Sequence, residues 1–134
     1  MFVRNISYMK YKPTDSELHI LGILWKQGDS TVRQVNDILN KTRRVGYTNT
    51  LKIMQLMHEK GMLTRDESSR SHLYAAAIDA EQVKSNVLSQ MVNTIFDGKT
   101  KNLLVHALGS YTPSKEELHE IKKLIDKLEN DGTI

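Results

Sequence analysis

Tyr47-Thr48-Asn49-Thr50-Leu51-Lys52-Ile53-Met54-Gln55-Leu56-Met57-His58-Glu59-Lys60-Gly61, followed at once by Met62-Leu63-Thr64-Arg65, reads as a helix with a polar nose and an apolar back, stopped by a glycine. Thr48 and Asn49 are residue types that cap helix starts, and Gly61 is the residue that most cheaply takes the left-handed conformation closing a last turn. Leu51, Met54, Met57 and His58 recur at the helical i, i+3, i+4 spacing, which commits one stripe to a core. Thr48, Asn49, Lys52, Gln55 and Glu59 fall largely on the other side. A helix that offers Thr, Asn and Lys from its first turns, preceded by the basic pair Arg43-Arg44, has the chemistry of a major-groove reader: Asn can bond adenine in bidentate fashion, and Lys reaches guanine or phosphate. The same pattern also describes an ordinary amphipathic surface helix, so the neighbouring segments decide.

Working outward, the segment before it carries two helix starts. Pro13-Thr14-Asp15-Ser16-Glu17 places Thr14 as N-cap with Glu17 three residues on, a reciprocal capping box. Leu18, Leu21, Leu24 and Trp25 are the expected buried stripe of this first helix, ended by Gly28. Thr31 and Gln34 form a second box, opening a helix whose apolar side is Val32, Val35, Ile38 and Leu39. A short loop with Arg43, Arg44 and Gly46 then leads into the helix quoted above. Two helices joined by a brief turn, the second polar at its start, follow the helix-turn-helix plan.

Downstream, Met62 to Arg65 and His72 to Ala75 read as two short strands separated by the polar stretch Asp66 to Ser71, a hairpin directly after the recognition helix. Such a wing puts Arg65, Ser69, Arg70 and His72 where they can meet the sugar-phosphate backbone or an adjacent minor groove; a solvated turn with idle arginines is the plainer alternative. Asp79-Ala80-Glu81-Gln82 caps a fourth helix with a broad apolar surface, Val83, Val87, Leu88, Met91, Val92, Ile95 and Phe96, stopped by Asp97-Gly98. Asn102 to Leu108 reads as a short helix with Leu103, Leu104, Ala107 and Leu108 apolar. Ser114 and Glu117 open the last helix, where Leu118, Ile121, Leu124, Ile125 and Leu128 make a near-heptad seam.

These three helices carry more apolar side chains than so thin a layer buries against itself. A second copy is the economical cover, and a two-fold protein matches a palindromic DNA site; the alternative is that this half folds back on the first. The expected organisation is therefore mainly α: a loose arm over residues 1–12, with Met9 a candidate start, a winged helix-turn-helix domain over 13–78, and a three-helix dimerisation region over 79–134.

Composition sets the outer bounds. At 134 residues and 39% hydrophobic content the chain suits one folded domain or a small domain with an appendage, and it contains no cysteine. That excludes disulfides, thiolate catalysis and thiolate metal sites, and fits a reducing cytoplasm. The longest apolar run, Ile20 to Trp25, is interrupted by Gly22 and falls far short of the roughly 20 apolar residues a bilayer span needs. Met1-Phe2-Val3-Arg4 is followed by no apolar signal region, so the Asn-X-Ser/Thr triplets at Asn5 and Asn40 carry no expectation of glycosylation. The net charge of +3 is uneven: residues 1–75 hold twelve Lys/Arg against seven Asp/Glu, while 76–134 hold seven against nine. The basic half suits phosphate and the acidic half suits protein. His19, His58, His72, His106 and His119 are scattered, and no zinc-protease, phosphate-loop or nucleophile-elbow motif occurs. Neither a metal, a cofactor nor an enzyme is expected.

With helices, wing and apolar tail in this order, the chain resembles the penicillinase-repressor family, the BlaI/MecI/CopY group of bacterial winged-helix repressors. The residues that carry the resemblance are Pro13 to Leu18 with Ile23-Leu24-Trp25, Tyr47 to Leu51, Glu59 to Leu63, and Arg70 to Tyr74. The resemblance implies a dimeric repressor on inverted-repeat operators, with Thr48, Asn49 and Lys52 at the positions that touch bases or phosphates; Tyr47, just before them, is counted among the DNA-binding candidates. In the penicillinase branch it implies relief through a membrane-bound sensor metalloprotease, by cleavage of an Asn-Phe bond in the dimerisation half. The matching bond here is His106-Ala107, a departure from that pattern. Copper sensing in the family uses cysteines that this chain lacks.

The reading is a sequence-specific repressor that binds a double-stranded operator as a homodimer, without membrane insertion. Phosphate contacts are expected from Arg43, Arg44, Arg65 and Arg70, and base choice from Thr48, Asn49 and Lys52. The alternative is a winged-helix protein-interaction adaptor that does not bind DNA.

Overall fold

A computed structural model describes residues 12–132. The arm expected over residues 1–12 lies, but for Lys12, outside the described residues. The order is α1 (Asp15–Gln27), α2 (Val32–Leu39), α3 (Tyr47–Glu59), β1 (Leu63–Asp66), β2 (Leu73–Ala76), α4 (Ala80–Ile95), α5 (Thr100–Tyr111) and α6 (Lys115–Asp131). This is a mainly α winged-helix chain.

Local chemistry sets the helix starts. Thr14 Oγ1 accepts from the Glu17 N–H at 3.2 Å while Glu17 Oε1 accepts from the Thr14 N–H at 2.9 Å, so the first expected box is complete. Thr31 and Gln34 repeat it at the start of α2. Asp79 Oδ2 accepts from the Gln82 N–H to open α4, and Ser114 Oγ accepts from the Glu117 N–H to open α6. Each bond satisfies an N–H that the helix itself leaves without a partner.

The described residues divide into two compact units, one up to Val87 and one from Leu88 onward. The division falls inside α4, further along than the break after residue 78 expected from the sequence. In the first unit Ile20, Leu21 and Leu24 of α1, Val32, Val35 and Leu39 of α2, and Met54 and Met57 of α3 form one core with Met62, Leu63, Tyr74, Ile78 and Val83. The α1 stripe thus differs from the expected one. Ile20 is fully buried while Leu18 and Trp25 are only half-buried. The reason is Glu17, which buries its carboxylate beside Ile20 because Oε2 accepts from Lys60 Nζ at 3.0 Å and Oε1 serves the cap. A paired, hydrogen-bonded carboxylate tolerates burial that an isolated one does not. Trp25 instead turns its indole N–H to the Ile78 carbonyl at 3.1 Å, tying the segment after the wing to α1.

β1 and β2 pair antiparallel, with Leu63 opposite Ala76 and Arg65 opposite Tyr74. Ser30 adds a third short edge: its N–H donates to the Tyr74 carbonyl at 3.0 Å and its carbonyl accepts from the Tyr74 N–H at 2.8 Å. The wing is thereby held on the segment that precedes α2. Gly61, at φ 87°, makes the left-handed exit from α3 into β1 that its position suggests.

The second unit contrasts with this. α5 and α6 contain no buried residue. α5 is longer than the expected 102–108 segment, starting after Lys99 and ending at Tyr111. Leu88, Met91, Ile95, Leu104, Leu108, Leu118, Leu124, Ile125 and Leu128, all read from the sequence as interface candidates, are exposed. Phe96, Leu103 and Ile121 are half-buried. Val87, another such candidate, packs against the core of the first unit. Phe96 sits against the His106 ring at 5.4 Å between centroids, and its carbonyl accepts from the Asn102 amide. Among the described residues no helix is long and apolar enough to cross a membrane.

Candidate nucleic-acid interface

The first unit presents the polar face of α3 to solvent, and its geometry begins at a residue the sequence does not favour. Gly46, not Thr48 or Asn49, is the N-cap of α3, and no side chain caps this end. Tyr47 is already helical, so Thr48 and Asn49 lie in the first turn and point outward with no capping duty. The expected caps are corrected to outward-facing side chains. Both are exposed, as are Lys52, Gln55, Leu56 and Glu59. The opposite stripe is Thr50, Met54 and Met57, all fully buried, with Leu51 and His58 half-buried beside them.

A buried polar network sets where that helix starts. Asn36 Nδ2 donates to Thr50 Oγ1 at 2.9 Å and to the Val45 carbonyl at 3.0 Å. Asn40 Nδ2 donates to the same carbonyl at 2.8 Å, and Asn40 Oδ1 accepts from the Val45 N–H at 3.1 Å. Both backbone groups of Val45 are therefore held by side chains of α2. Because Val45 is the last residue before the Gly46 cap, two asparagines fix the turn that aims α3. The sequence gives neither residue this role: Asn36 looks like an ordinary polar position on α2, and Asn40 stands out only as the start of an Asn-X-Thr triplet. The signal was available only in part, as an Asn on the apolar side of a short helix.

Arg43 and Arg44 lie on this turn and are exposed. Arg43 Nη2 reaches His19 Nδ1 of α1 at 3.2 Å, which orients its guanidinium. With Asn49 they border a cleft of about 280 Å³ floored by Ile20, Leu39, Val45 and Ile53. Neither α2 nor α3 has an acidic residue in its first turn, whereas α1, α4 and α6 do. α2 is nonetheless capped by Thr31 and Gln34, whereas the start of α3 has neither a side-chain cap nor an acid to offset the positive end of its dipole.

The wing holds its candidates differently. Arg65 donates from Nε to Glu67 Oε2 at 2.7 Å and lies over the Tyr74 ring, 5.9 Å from its centroid. The Tyr74 hydroxyl and then Glu67 raise the Arg65 pKa, and Arg65 in turn lowers that of Glu67. The Arg65 charge is therefore largely answered within the wing. Ser69 Oγ donates to the Ser71 carbonyl, and Asp66 Oδ1 accepts from the Ser68 N–H, which lowers the Asp66 pKa and tightens the turn. Arg70 is exposed at the tip and His72 is half-buried at its base. Among the described residues no group of His, Asp and Glu could hold a metal ion.

Comparison with known proteins follows the same outline. The profile of the penicillinase repressor family matches residues 13–127, nearly the whole of both units. The chain belongs to the penicillinase repressor family. It is 22% identical over 120 residues to the penicillinase repressor of Bacillus licheniformis, covering 87% of this chain and 91% of that one. It is 26% identical over 94 residues to the transcriptional regulator BlaI of Mycobacterium tuberculosis, covering 69% and 68%. Members of the penicillinase repressor family are regulators of transcription and not enzymes. Among solved structures, a MarR family protein from Bacillus stearothermophilus aligns with a TM-score of 0.53 at 16% identity, over 97% of this chain and 82% of that one. The YusO protein of Bacillus subtilis gives 0.52 at 15%, over 96% and 82%. At such identities these two speak for the fold alone.

The last candidate, the His106-Ala107 bond, lies inside α5, with His106 exposed and Ala107 half-buried. Its carbonyl and N–H belong to a helical turn rather than to an extended strand.

Proposed function

We propose that the chain is a DNA-binding repressor of its family that acts as a homodimer on an inverted-repeat operator. The observation that carries the reading is the outward stripe Thr48, Asn49 and Lys52 on a helix whose opposite stripe is fully buried and whose start is pinned by Asn36 and Asn40. A reading helix must present its polar end in one fixed orientation, because base-edge hydrogen bonds tolerate little angular error. Tyr47, Arg43 and Arg44 flank that stripe and Arg70 stands on the wing, a distribution suited to phosphates on either side of a groove. Ser69 and His72 add polar groups to the wing, and Arg65, paired with Glu67, contributes shape more than charge.

The exposed apolar faces of α4, α5 and α6 support a two-fold partner, since a contiguous apolar surface is costly to leave in water. Relief by a membrane-bound sensor metalloprotease remains part of the proposal, at or near His106-Ala107. Proteases read extended chain, so cleavage there requires α5 to unwind locally.

The test is a gel-shift series on an operator fragment and its scrambled counterpart. Lys52→Ala costs about 1 to 3 kcal/mol on the operator alone if Lys52 reads a base, and weakens both fragments alike if it holds a phosphate. Undiminished binding of the variant to both removes Lys52 from the interface. If the wild-type chain binds no duplex even at low salt, the adaptor reading takes over.

A further inference from the structure

Among the described residues two arginines of the first unit lie over tyrosine rings, and they differ in what else they touch. Arg65 covers Tyr74 from 5.9 Å and is closed off by the Glu67 carboxylate at 2.6 Å. Arg33, the second residue of α2, covers Tyr47 more closely, with its Cζ 4.5 Å from the ring centroid. No carboxylate completes that second stack: among the described residues Arg33 enters no ion pair, although Asp29 and Asp37 are near it in sequence. Both Arg33 and Tyr47 are exposed.

The helix end beside this cation favours an anion. A positive side chain in the first turn of a helix faces the positive end of the helix dipole, and α2 has no acid there to offset it. The guanidinium lies on the ring of Tyr47, which immediately precedes Thr48 and Asn49. A planar guanidinium on an aromatic face keeps its N–H edge free for a phosphate, which a carboxylate fork would otherwise occupy. In helix-turn-helix proteins the first helix of the pair crosses the DNA backbone while the second enters the groove.

We propose that Arg33 is a DNA-backbone contact, and that Tyr47 acts chiefly as the platform holding it beside the base-reading stripe. This rests on the DNA-binding reading given above. Tyr47 thereby changes role, from a direct contact to a positioning residue. Arg33 joins the interface although no motif singled it out.

The test needs no operator, because backbone contacts are independent of sequence. Binding of random-sequence duplex DNA is followed by fluorescence anisotropy across a salt series. Arg33→Ala weakens binding about tenfold, the size of one charge-assisted hydrogen bond. It also lowers the slope of log affinity against log salt by about one. Arg33→Lys keeps the slope and loses part of the affinity. Tyr47→Phe, which keeps the ring, binds like the wild type. Tyr47→Leu weakens the wild type several-fold and adds nothing in the Arg33→Ala background.

An unchanged affinity and slope for Arg33→Ala, with the wild type binding normally, overturns the assignment of Arg33. Equal losses from Tyr47→Leu in both backgrounds overturn the platform role. A wild-type chain that binds no duplex sinks the DNA reading itself, and this assignment with it.

Discussion

The two units solve the same problem in opposite ways. The first closes on itself: Leu21, Val35, Met54 and Met57 are fully buried, and even Glu17, Asn36 and Thr50 are buried with their polar groups answered. The second offers no buried residue on α5 or α6 and exposes Ile95 at 68% and Val105 at 60%. A chain of one composition thus contains a finished core and an unfinished one. The former can aim a helix with precision, and the latter suits a surface that another protein completes.

The contrast is broken or sharpened most strongly by truncating a leucine in each unit. Leu21→Ala leaves a cavity in a closed core and costs about 2 to 5 kcal/mol of unfolding free energy in a denaturant titration. Leu124→Ala removes a side chain that is 44% exposed in the single chain. Its effect should fall on self-association, seen by sedimentation as a shift toward monomer at fixed concentration. A large loss of stability with no change in association would deny that a second copy covers α6.

Next in size is the polar network. Asn36→Leu removes both bonds from Nδ2 and places an apolar group against the Val45 carbonyl and Thr50, costing about 1 to 3 kcal/mol. Because Asn36 holds the turn before α3, DNA affinity should drop along with stability. A variant that loses stability but reads DNA normally would separate the network from the aim of the helix.

How much of this was legible in the sequence depends on the range of the interactions. The capping boxes at Thr14 and Thr31 were readable because both partners lie three residues apart in the same helix start. The hairpin was readable from two apolar runs around a polar turn. The start of α3 was not, since capping preference favours Thr48 and Asn49 over glycine. The decision is made nine residues away, by Asn36 taking the Val45 carbonyl. The α1 stripe was misplaced for a similar reason: Lys60, 43 residues along the chain, makes the burial of Glu17 tolerable. Arg33 went unread because its partner is an aromatic face on another helix, which no local pattern encodes.

A smaller effect belongs to the second unit. Thr112, between α5 and α6, has φ 41°, a left-handed conformation that a β-branched residue resists. Thr112→Gly should stabilise by about 1 kcal/mol, measured as a raised melting temperature. No gain would show the turn to be relaxed by its surroundings.

The smallest effect is one of pH in the wing. Arg65 lowers the pKa of Glu67, so the folded state binds this proton less readily than the unfolded chain. The pair's contribution is complete above the ordinary glutamate range and fades as pH falls through the lowered folded value. An NMR titration of Glu67 should therefore show a midpoint below that range, moving back up in Arg65→Gln.

α4 is shared between the units, with Val83 in the first core and Leu88 onward in the second. The residues before the division belong to a core that the chain completes by itself, and those after it to a surface that it leaves open. A fluorescent label at Val83 would therefore follow unfolding alone, whereas one at Met91 would respond to dilution.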